Sequence, residues 1–353
     1  MSIFDHAEFS DHEQVIFAND PVSGLKAIIA IHNSYRGPAL GGLHIHSYRN
    51  DAQALGEALK SSRGMTYKTA LANLPHGGGK AVVIADPRYD KTPSLLEAMG
   101  RLIDSLDGRY ITAEDQGSDA ADMQALARVT PHVVGLRNPA GAGGDPSPYT
   151  AWGVFNAMRG AVRHTLGKTE LCGLRVAIQG VGHVGARLAR YLHEAGARLV
   201  LSDVDSHAVN SLARHLDARV VAPKTIFDVE ADIFAPCAMG AVLNAEVCRR
   251  LQARIVVGAA NDQLAEPACA EQLLARGIVY VPDYVANAGG VIEVAWRRRA
   301  DYDRRQVMAH IAGIESTLET ILERAGREGL SPVAIADRLA EERFAEPRGK
   351  ASV

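Results

Sequence analysis

Aromatic residues are scarce, at 5% of 353 positions, and there are only four cysteines. Cys172, Cys237, Cys248 and Cys269 contain no CxxC pair, so neither a zinc ribbon nor a dithiol redox motif can be built from them, and no metal is expected. An excess of basic charge is also missing. Lys plus Arg number 38 against 41 Asp plus Glu, a formal charge of -3, which gives no general attraction to nucleic acid or to an anionic membrane. No apolar run approaches the ~20 residues that a membrane span needs. The stretch Met1 to Asp11 is polar and acidic rather than basic and then apolar, unlike a secretory signal, so reduced thiols and a cytoplasmic location are expected. There is no internal repeat and no low-complexity segment. What remains is 47% hydrophobic and 22% charged, the balance of a folded globular protein. The length suffices for two domains, each with its own core. Small molecules are the expected partners.

Apolar patterning supplies the elements. GLKAIIAIH (24–32) reads as a buried strand. A helix follows from Asp51 to about Arg63, with Asn50 as cap, Gln53 completing a capping box and Gly64 as its stop. NLPHGGGK is then a glycine-rich turn into a strand at Ala81 to Asp86. Thr92 and Pro93 open a helix, and Arg109 to Ala113 is another strand. These alternations predict an N-terminal α/β domain, residues 1–137, with a largely parallel sheet. The Gly- and Pro-dense stretch Asn138 to Ser147 suits a hinge. Beyond it, a long helix to about Leu166 leads into strands at Leu174 to Gln179, Leu199 to Asp203, Arg254 to Ala260 and Ile278 to Pro282. Helices from His183 and Ser206 alternate with them, so residues 148–327 form a doubly wound Rossmann domain. The last helices, Asp303 to about Arg327 and Ser331 to about Phe344, lie too far along to extend that sheet. They are expected to pack back on the first domain, residues 328–353 above all.

Gly180-Val181-Gly182-His183-Val184-Gly185 directly follows a strand and opens a helix, the context in which GxGxxG carries information. Gly180 permits a tight turn, Gly182 lets the backbone approach a pyrophosphate, and Gly185 allows close packing of helix on strand. The helix N-terminus, with His183 and Val184, offers N–H groups and a partial positive charge to the phosphates. Asp203 stands eighteen residues beyond Gly185, where a carboxylate accepts from ribose hydroxyls and repels a 2'-phosphate. NAD is the expected cofactor, with Arg198 and His207 keeping NADP open.

In the first domain two lysines follow glycine-rich turns, Lys68 in GMTYK and Lys80 in HGGGK. Lysine there gives either a fixed cation for a carboxylate or, when desolvated, a base near neutral pH. Asp115, in TAED at the end of a strand, occupies the edge where parallel sheets place functional groups. A plainer reading has both lysines solvated in loops, with Asp115 and Glu114 capping the helix around Ala120 to Ala127. His44, His46 and His76 lack metal-ligand spacing and read as packing or surface residues.

These stretches resemble the glutamate, leucine, phenylalanine and valine dehydrogenase family, leucine dehydrogenases most closely. The motifs are GPALGG (37–42), GMTYK (64–68), GGGK (77–80), TAED ending at Asp115, GDPSP (144–148), the dinucleotide turn, APCAMG (235–240), GAAN (258–261) and PDYVANAGG (282–290). They run in order across nearly the whole chain. The resemblance implies that Lys68 binds the substrate α-carboxylate, that Lys80 is the catalytic lysine and that Asp115 moves protons at the amino group. It places Gly41 and Gly42 beside the substrate, Cys237, Ala238 and Ala260 beside the cofactor, and Asn261 and Asn287 on the nicotinamide and substrate side. Homo-oligomers are implied too.

Such chemistry requires a base. Hydride leaves Cα for nicotinamide, and water attacks the resulting iminium. Lys80, kept neutral by desolvation and by Lys68, activates that water while Asp115 protonates the departing nitrogen, giving ammonia and a 2-oxo acid. A cleft that excludes water is expected, the Asn138 to Ser147 segment serving as its hinge. At the side-chain positions Leu40, Ala113, Val291 and Val294 are all aliphatic. A branched-chain substrate is therefore favoured, an acidic one is disfavoured for want of a second cation, and an aromatic one is the alternative. A catalytically silent NAD-binding protein is the rival reading. Three departures from the family pattern stand out: Leu43-His44 where a small residue and arginine are usual, NLPHGGGK nearer the phenylalanine enzymes, and Asp262 where a second asparagine is commoner.

Overall fold

The structure is a computed structural model and describes residues 3–136, 144–238, 240–299 and 301–345. The chain divides into two compact units, one built from Met1–Gly144, Val294–Ala300 and Ala340–Val353, the other from Asp145–Glu293 and Asp301–Leu339. Most of the Asn138 to Ser147 segment read as a hinge lies outside the described residues.

In the first unit the order is β1 (Gln14–Asp20), β2 (Leu25–Asn33), β3 (Ala39–His46), α1 (Asp51–Leu71), β4 (Gly77–Ile84), α2 (Pro93–Asp104), β5 (Tyr110–Glu114) and α3 (Ala120–Leu126). The strands form one sheet in the order β1-β2-β4-β3-β5. β1 and β4 run antiparallel to β2, whereas β3 runs parallel to both β4 and β5. The sheet is therefore mixed, not largely parallel. Sequence patterning passes over β1 and β3 because a polar edge strand and a glycine-bearing strand both carry weak β signals.

Alternation in these strands sorts residues onto two faces. One face, with Ala27, Ile29, Leu43, Ile45, Ala81 and Val83, packs on Leu95, Met99 and Ile103 of α2 and on Met123 and Leu126 of α3. The other, with Ile28, Ala30 and Val82, packs on Ala54, Ala58 and Leu59 of α1. Asn50 caps α1 by accepting from the Gln53 amide, while the Gln53 side chain accepts from Arg49 N, one residue before the cap.

Helix α1 does not stop at Gly64. A C-terminal glycine stop needs the left-handed conformation, and Gly64 is not among the glycines with positive φ. The helix runs two more turns to Leu71 because its last part packs on β4, where a Cβ on Gly78 would come within 2.0 Å of Thr66 N. Gly77, Gly78 and Gly79 are accordingly strand residues, not a turn. Lys68 thus sits on a helix and Lys80 within a strand, instead of after turns. Residues 340–345 close this unit over the end of α1. Arg343 donates to the carbonyls of Ala70 and Leu71 (3.2 and 2.8 Å), and Tyr67 Oη donates to Glu341 (2.8 Å). Carbonyls that a helix end leaves open are satisfied in this way.

In the second unit α4 (Ser147–Leu166) precedes β6 (Arg175–Gln179), α5 (His183–Glu194), β7 (Arg198–Ser202), α6 (Ser206–Leu216), β8 (Arg219–Val220), β9 (Ala231–Pro236), α7 (Ala245–Arg250), β10 (Ala253–Val256), α8 (Ala268–Ala275) and β11 (Val279–Tyr280). All six strands are parallel, in the order β11-β10-β9-β6-β7-β8. The chain reverses its direction of winding between β6 and β9, which makes their C-terminal ends a switch point where such sheets bind ligands. α9 (Asp283–Ala286), α10 (Gly289–Trp296), α11 (Arg304–Ala312), α12 (Ile314–Glu328) and α13 (Pro332–Ala345) follow. α11 and α12 pack on α4 within this unit, so the expectation that they return to the first domain is corrected. α4 is long and carries buried positions along much of its length, including Val154, Met158 and Ala161, and it needs a second helical layer there.

Candidate active site

On the α1 face of the first sheet, alternation places Leu40, Gly42 and His44 of β3 beside Gly78, Lys80 and Val82 of β4 and beside Ala113 of β5, with Asp115 just past that strand's end. Lys80 is 8% exposed, which excludes a solvated loop lysine. Its Nζ donates to Asp115 Oδ2. The helix after β5 is capped by Asp119, which accepts from the amides of Ala121 and Asp122, so Asp115 is not spent on a cap. Its loop is held from several sides. Ser118 Oγ donates to Leu43 O (2.7 Å) and accepts from Asp115 N (2.9 Å), and Lys91 pairs with Asp122 (2.7 Å).

Gly42 makes room for the Asp115 carboxylate, and Gly41 lets β3 and β4 approach closely. A Cβ on Gly42 would lie 2.2 Å from Asp115 Oδ2, and one on Gly41 would lie 1.7 Å from Gly79 O on the neighbouring strand. Tyr110 Oη, fully buried, donates to the carbonyls of Gly41 and Gly42 (3.0 and 3.2 Å) and fixes that backbone. Burial alone would raise the Asp115 carboxyl. The charge and hydrogen bond of Lys80, then the Gln116 amide and the His44 charge, outweigh burial and hold it below the ordinary carboxylate range.

Two further residues belong to this face that sequence reasoning did not single out as functional. His44 Nδ1 lies 3.2 Å from Tyr48 Oη and 3.6 Å from Glu57 Oε1 of α1, and Ser61 Oγ donates to the same Glu57 oxygen (2.9 Å). The neighbouring His44 ring, opposed by burial and aided by the Lys80 charge, pulls the Glu57 carboxyl down to about 2. The departure at Leu43-His44 from the family pattern was the one signal pointing here. Lys68 is half-buried on the last turn of α1. It falls eleven residues, three helical turns, beyond Glu57 and so shares a stripe with Glu57, Ser61 and Gly64.

In the second unit the cofactor candidates gather at the C-terminal ends of β6, β7, β9 and β10. Gly180 has φ 92°, and a Cβ there would meet Ala238 at 2.7 Å. A Cβ on Gly185 would lie 2.0 Å from Gly180 O, whereas nothing stands within 4 Å of one on Gly182. The first two glycines serve close packing, and the third leaves the turn open on its outer side. Gly182 caps α5 without a side-chain hydrogen bond, so the first amides of that helix, from His183 and Val184 onward, are free to receive an anion. His183 itself is 84% exposed in its side chain. Asp203 Oδ2 accepts from Val181 N (2.6 Å). Cys237 N donates to Gln179 O (2.7 Å), and Ala260 N donates to Pro236 O (3.0 Å). Burial pushes the Cys237 thiol up to about 12. Asn287 Nδ2 donates to Asn261 Oδ1 (2.8 Å) and to Ala259 O (3.1 Å), leaving the buried Asn287 Oδ1 without a partner among the described residues. An orphaned amide oxygen and an open, uncapped turn at the same C-terminal edge of the sheet fit a dinucleotide whose carboxamide supplies the missing donor. Arg198 sits at the opposite end of β7 from Asp203, separated by the strand's whole length, and drops out as a 2'-phosphate ligand.

Val291 and Val294 lie three residues apart on α10. Val291 belongs to the second unit and Val294 to the first, with Leu40 and Ala113.

Family comparison agrees with this layout. Residues 12–132 match the model described as Glu/Leu/Phe/Val dehydrogenase, dimerisation domain, and residues 144–211 and 202–346 match that of Glutamate/Leucine/Phenylalanine/Valine dehydrogenase. The chain belongs to the Glu/Leu/Phe/Val dehydrogenase family. It is thereby a dinucleotide-binding oxidoreductase. It is 46% identical over 344 residues to the leucine dehydrogenase of Thermoactinomyces intermedius, covering 98% of this chain and 94% of that protein. Its identity to the valine dehydrogenase of Streptomyces albus is also 46%, over 349 residues, covering 98% and 95%. Among solved structures, L-tryptophan dehydrogenase from Nostoc punctiforme superposes with a TM-score of 0.85 at 41% identity, covering 96% of this chain and 97% of that one. Among the described residues no helix is long and apolar enough to cross a membrane, and no His, Cys, Asp and Glu cluster could hold a metal.

Proposed function

We propose that the protein catalyses the reversible NAD-dependent oxidative deamination of a branched-chain L-amino acid, leucine-like in shape, to the 2-oxo acid and ammonia. One observation carries the chemistry: buried Lys80 paired with half-buried Asp115, in a space that Gly42 keeps clear for the carboxylate. The pair holds one mobile proton. Moved from Lys80 to Asp115 during the reaction, that proton leaves an amine able to take one from water and an acid able to give its own to the departing nitrogen.

When bound, the nicotinamide accepts the hydride that leaves Cα. The remaining steps fall to the chain's residues. Lys68 holds the substrate carboxylate, and Lys80 removes a proton as water adds to the iminium carbon. Asp115 then protonates the amino group, ammonia leaves, the hydroxyl proton of the adduct passes to the pair, and the one proton by which the pair now exceeds its starting state departs with ammonia as ammonium. Gly41 and Gly42 keep the backbone low beneath the substrate. On the cofactor side, the turn at Gly180, Gly182 and Gly185 takes the pyrophosphate and Asp203 the adenine ribose. Asn261 and Asn287 hold the carboxamide end, with Cys237, Ala238 and Ala260 lining the approach.

Leu40, Ala113, Val291 and Val294 set the side-chain preference, and the absence of charge at all four positions makes a carboxylate side chain costly. Relatives named for leucine and valine support the aliphatic choice. A solved relative named for tryptophan supports an aromatic substrate as the second reading. We further place the enzyme in the cytoplasm, where its four unpaired thiols would stay reduced. We assign it a homo-oligomeric state through the first unit, in keeping with the dimerisation model that unit matches.

The deciding experiment follows nicotinamide absorbance across a panel of L-amino acids with wild type and Lys80→Ala. Branched-chain substrates should be turned over fastest, and the variant should bind NAD normally while nearly losing turnover. Unchanged turnover would remove Lys80 from the mechanism. Silence across the whole panel would leave only a dinucleotide-binding protein.

A further inference from the structure

We propose that His44 is a positioning residue for the reaction: held by Glu57 and Tyr48 on the face that carries Lys80 and Asp115, its imidazole sets the local charge that the pair works against. The inference rests on the roles proposed above for Lys80 and Asp115. It adds a third ionisable group, an imidazole, to the same face of the sheet.

Geometry carries the argument. His44 is two residues beyond Gly42 on β3, and Gly42 is the residue whose missing Cβ makes space for the Asp115 carboxylate. In the β3–β4 register His44 stands opposite Val82, so Lys80, two residues earlier on β4, is its diagonal neighbour on the same face. The residue is 9% exposed. From α1, Glu57 comes to 3.6 Å of Nδ1, and Tyr48 Oη, from the turn after β3, comes to 3.2 Å. The Nε2 atom is buried with no hydrogen-bond partner among the described residues. An apolar side chain would fill this position without leaving a buried nitrogen uncompensated, so packing alone does not account for an imidazole.

Charged and titratable groups stand around His44 on several elements. His46 lies on the same strand, with ring centroids 5.6 Å apart, and Tyr48 follows it. Glu57 faces it from α1, Lys80 from β4, and Asp115 from beyond β5. Its positive charge is among the influences that hold the Asp115 carboxyl down. Protonated, the imidazole supports an ionised Asp115 and screens it from Glu57. Neutral, it withdraws that support, and proton exchange between Asp115 and the substrate nitrogen changes driving force.

The test compares kcat/KM against pH, from about pH 5 to 8, the range in which an imidazole changes charge. Wild type, His44→Arg and His44→Asn are measured, with NAD binding by fluorescence and thermal unfolding as checks that each variant is folded. Arginine keeps the charge at every pH, and asparagine never carries it. Wild type should follow the Arg variant at the acid end and the Asn variant at the alkaline end. The two variants should differ by about tenfold, the size of effect that a neighbouring charge has on a partly buried carboxylate. The limb present in wild type should be missing from both. Should neither His44 variant fold, Glu57→Gln leaves β3 untouched and should displace the same limb along the pH axis. A wild-type profile without a limb in this range overturns the proposal. So does a limb that survives in both His44 variants, or one that Glu57→Gln leaves in place. Lys80→Ala, run alongside, separates the two readings: normal turnover in that variant removes the roles on which this one rests, whereas lost turnover with an unaltered limb in the His44 variants removes His44 alone.

Discussion

Gly42→Ala is the most direct probe of the geometry, because it adds one methyl group and no charge. The new Cβ would sit 2.2 Å from Asp115 Oδ2 and 2.6 Å from Asp115 Cβ, and ordinary contact begins at 3.4 Å. Rotating the carboxylate would leave the Cβ contact in place, so the Asp115 segment must retreat by about 1.2 Å, since β3 is fixed from behind by Tyr110 Oη on its carbonyls. A displacement of that size at a catalytic group costs on the order of 100-fold in rate, or about 2.7 kcal/mol of activation free energy. Gly42 does not have positive φ, so alanine introduces no backbone strain and the fold should persist. The assay is kcat for the preferred amino acid by nicotinamide absorbance, with NADH affinity measured by fluorescence. We expect kcat to fall by about 100-fold while NADH affinity, a property of the second unit, stays within twofold. A kcat within threefold of wild type would refute the argument, because it would mean that Asp115 need not occupy its observed position.

Three other variants probe different parts of the molecule. Gly64→Ala, at a helix interior position with nothing within 4 Å of the added Cβ, should raise stability by about 0.5–1 kcal/mol in denaturant titration. Activity should be unchanged if the space beside Gly64 is not used by the substrate. Asp203→Ala should weaken NAD by tenfold or more relative to NADP, with some loss for both because the carboxylate also braces Val181 N; equal losses by fluorescence titration would undo the ribose assignment. Burial, reinforced by the charges of His12 and Arg63, drops His32 to about 3, well below the ~6.5 of a free imidazole. Its stabilising contribution is therefore complete above about pH 6.5 and is lost as pH falls toward 3, the loss reaching about 3 kcal/mol by pH 4. Melting temperature in His32→Gln should accordingly depend less on pH between 4 and 6.5 than in wild type, and parallel curves would assign the acid sensitivity elsewhere.

Much of the second unit was legible because its signals are local. An apolar strand, a GxGxxG turn and a helix are consecutive in the chain, and an acid after the next strand completes the pattern. The first unit was harder to read. Glycine at 64 looks like a helix stop and the run at 77–79 looks like a turn, since glycine's usual local role is conformational freedom. Here the glycines serve close approach, which depends on what packs against them.

Short stretches of chain suffice for the two-domain α/β plan, the dinucleotide turn and the residue types available for chemistry, because periodicity and turn chemistry are settled between near neighbours. It took the folded arrangement to bring Lys80 to Asp115 thirty-five residues on, to let Gly42 clear the space between them, and to turn His44 and Glu57 toward the same ground. These contacts arise from inserting β4 between β2 and β3 and laying α1 across the sheet. Strand order of that kind has no signature in any short window of the chain.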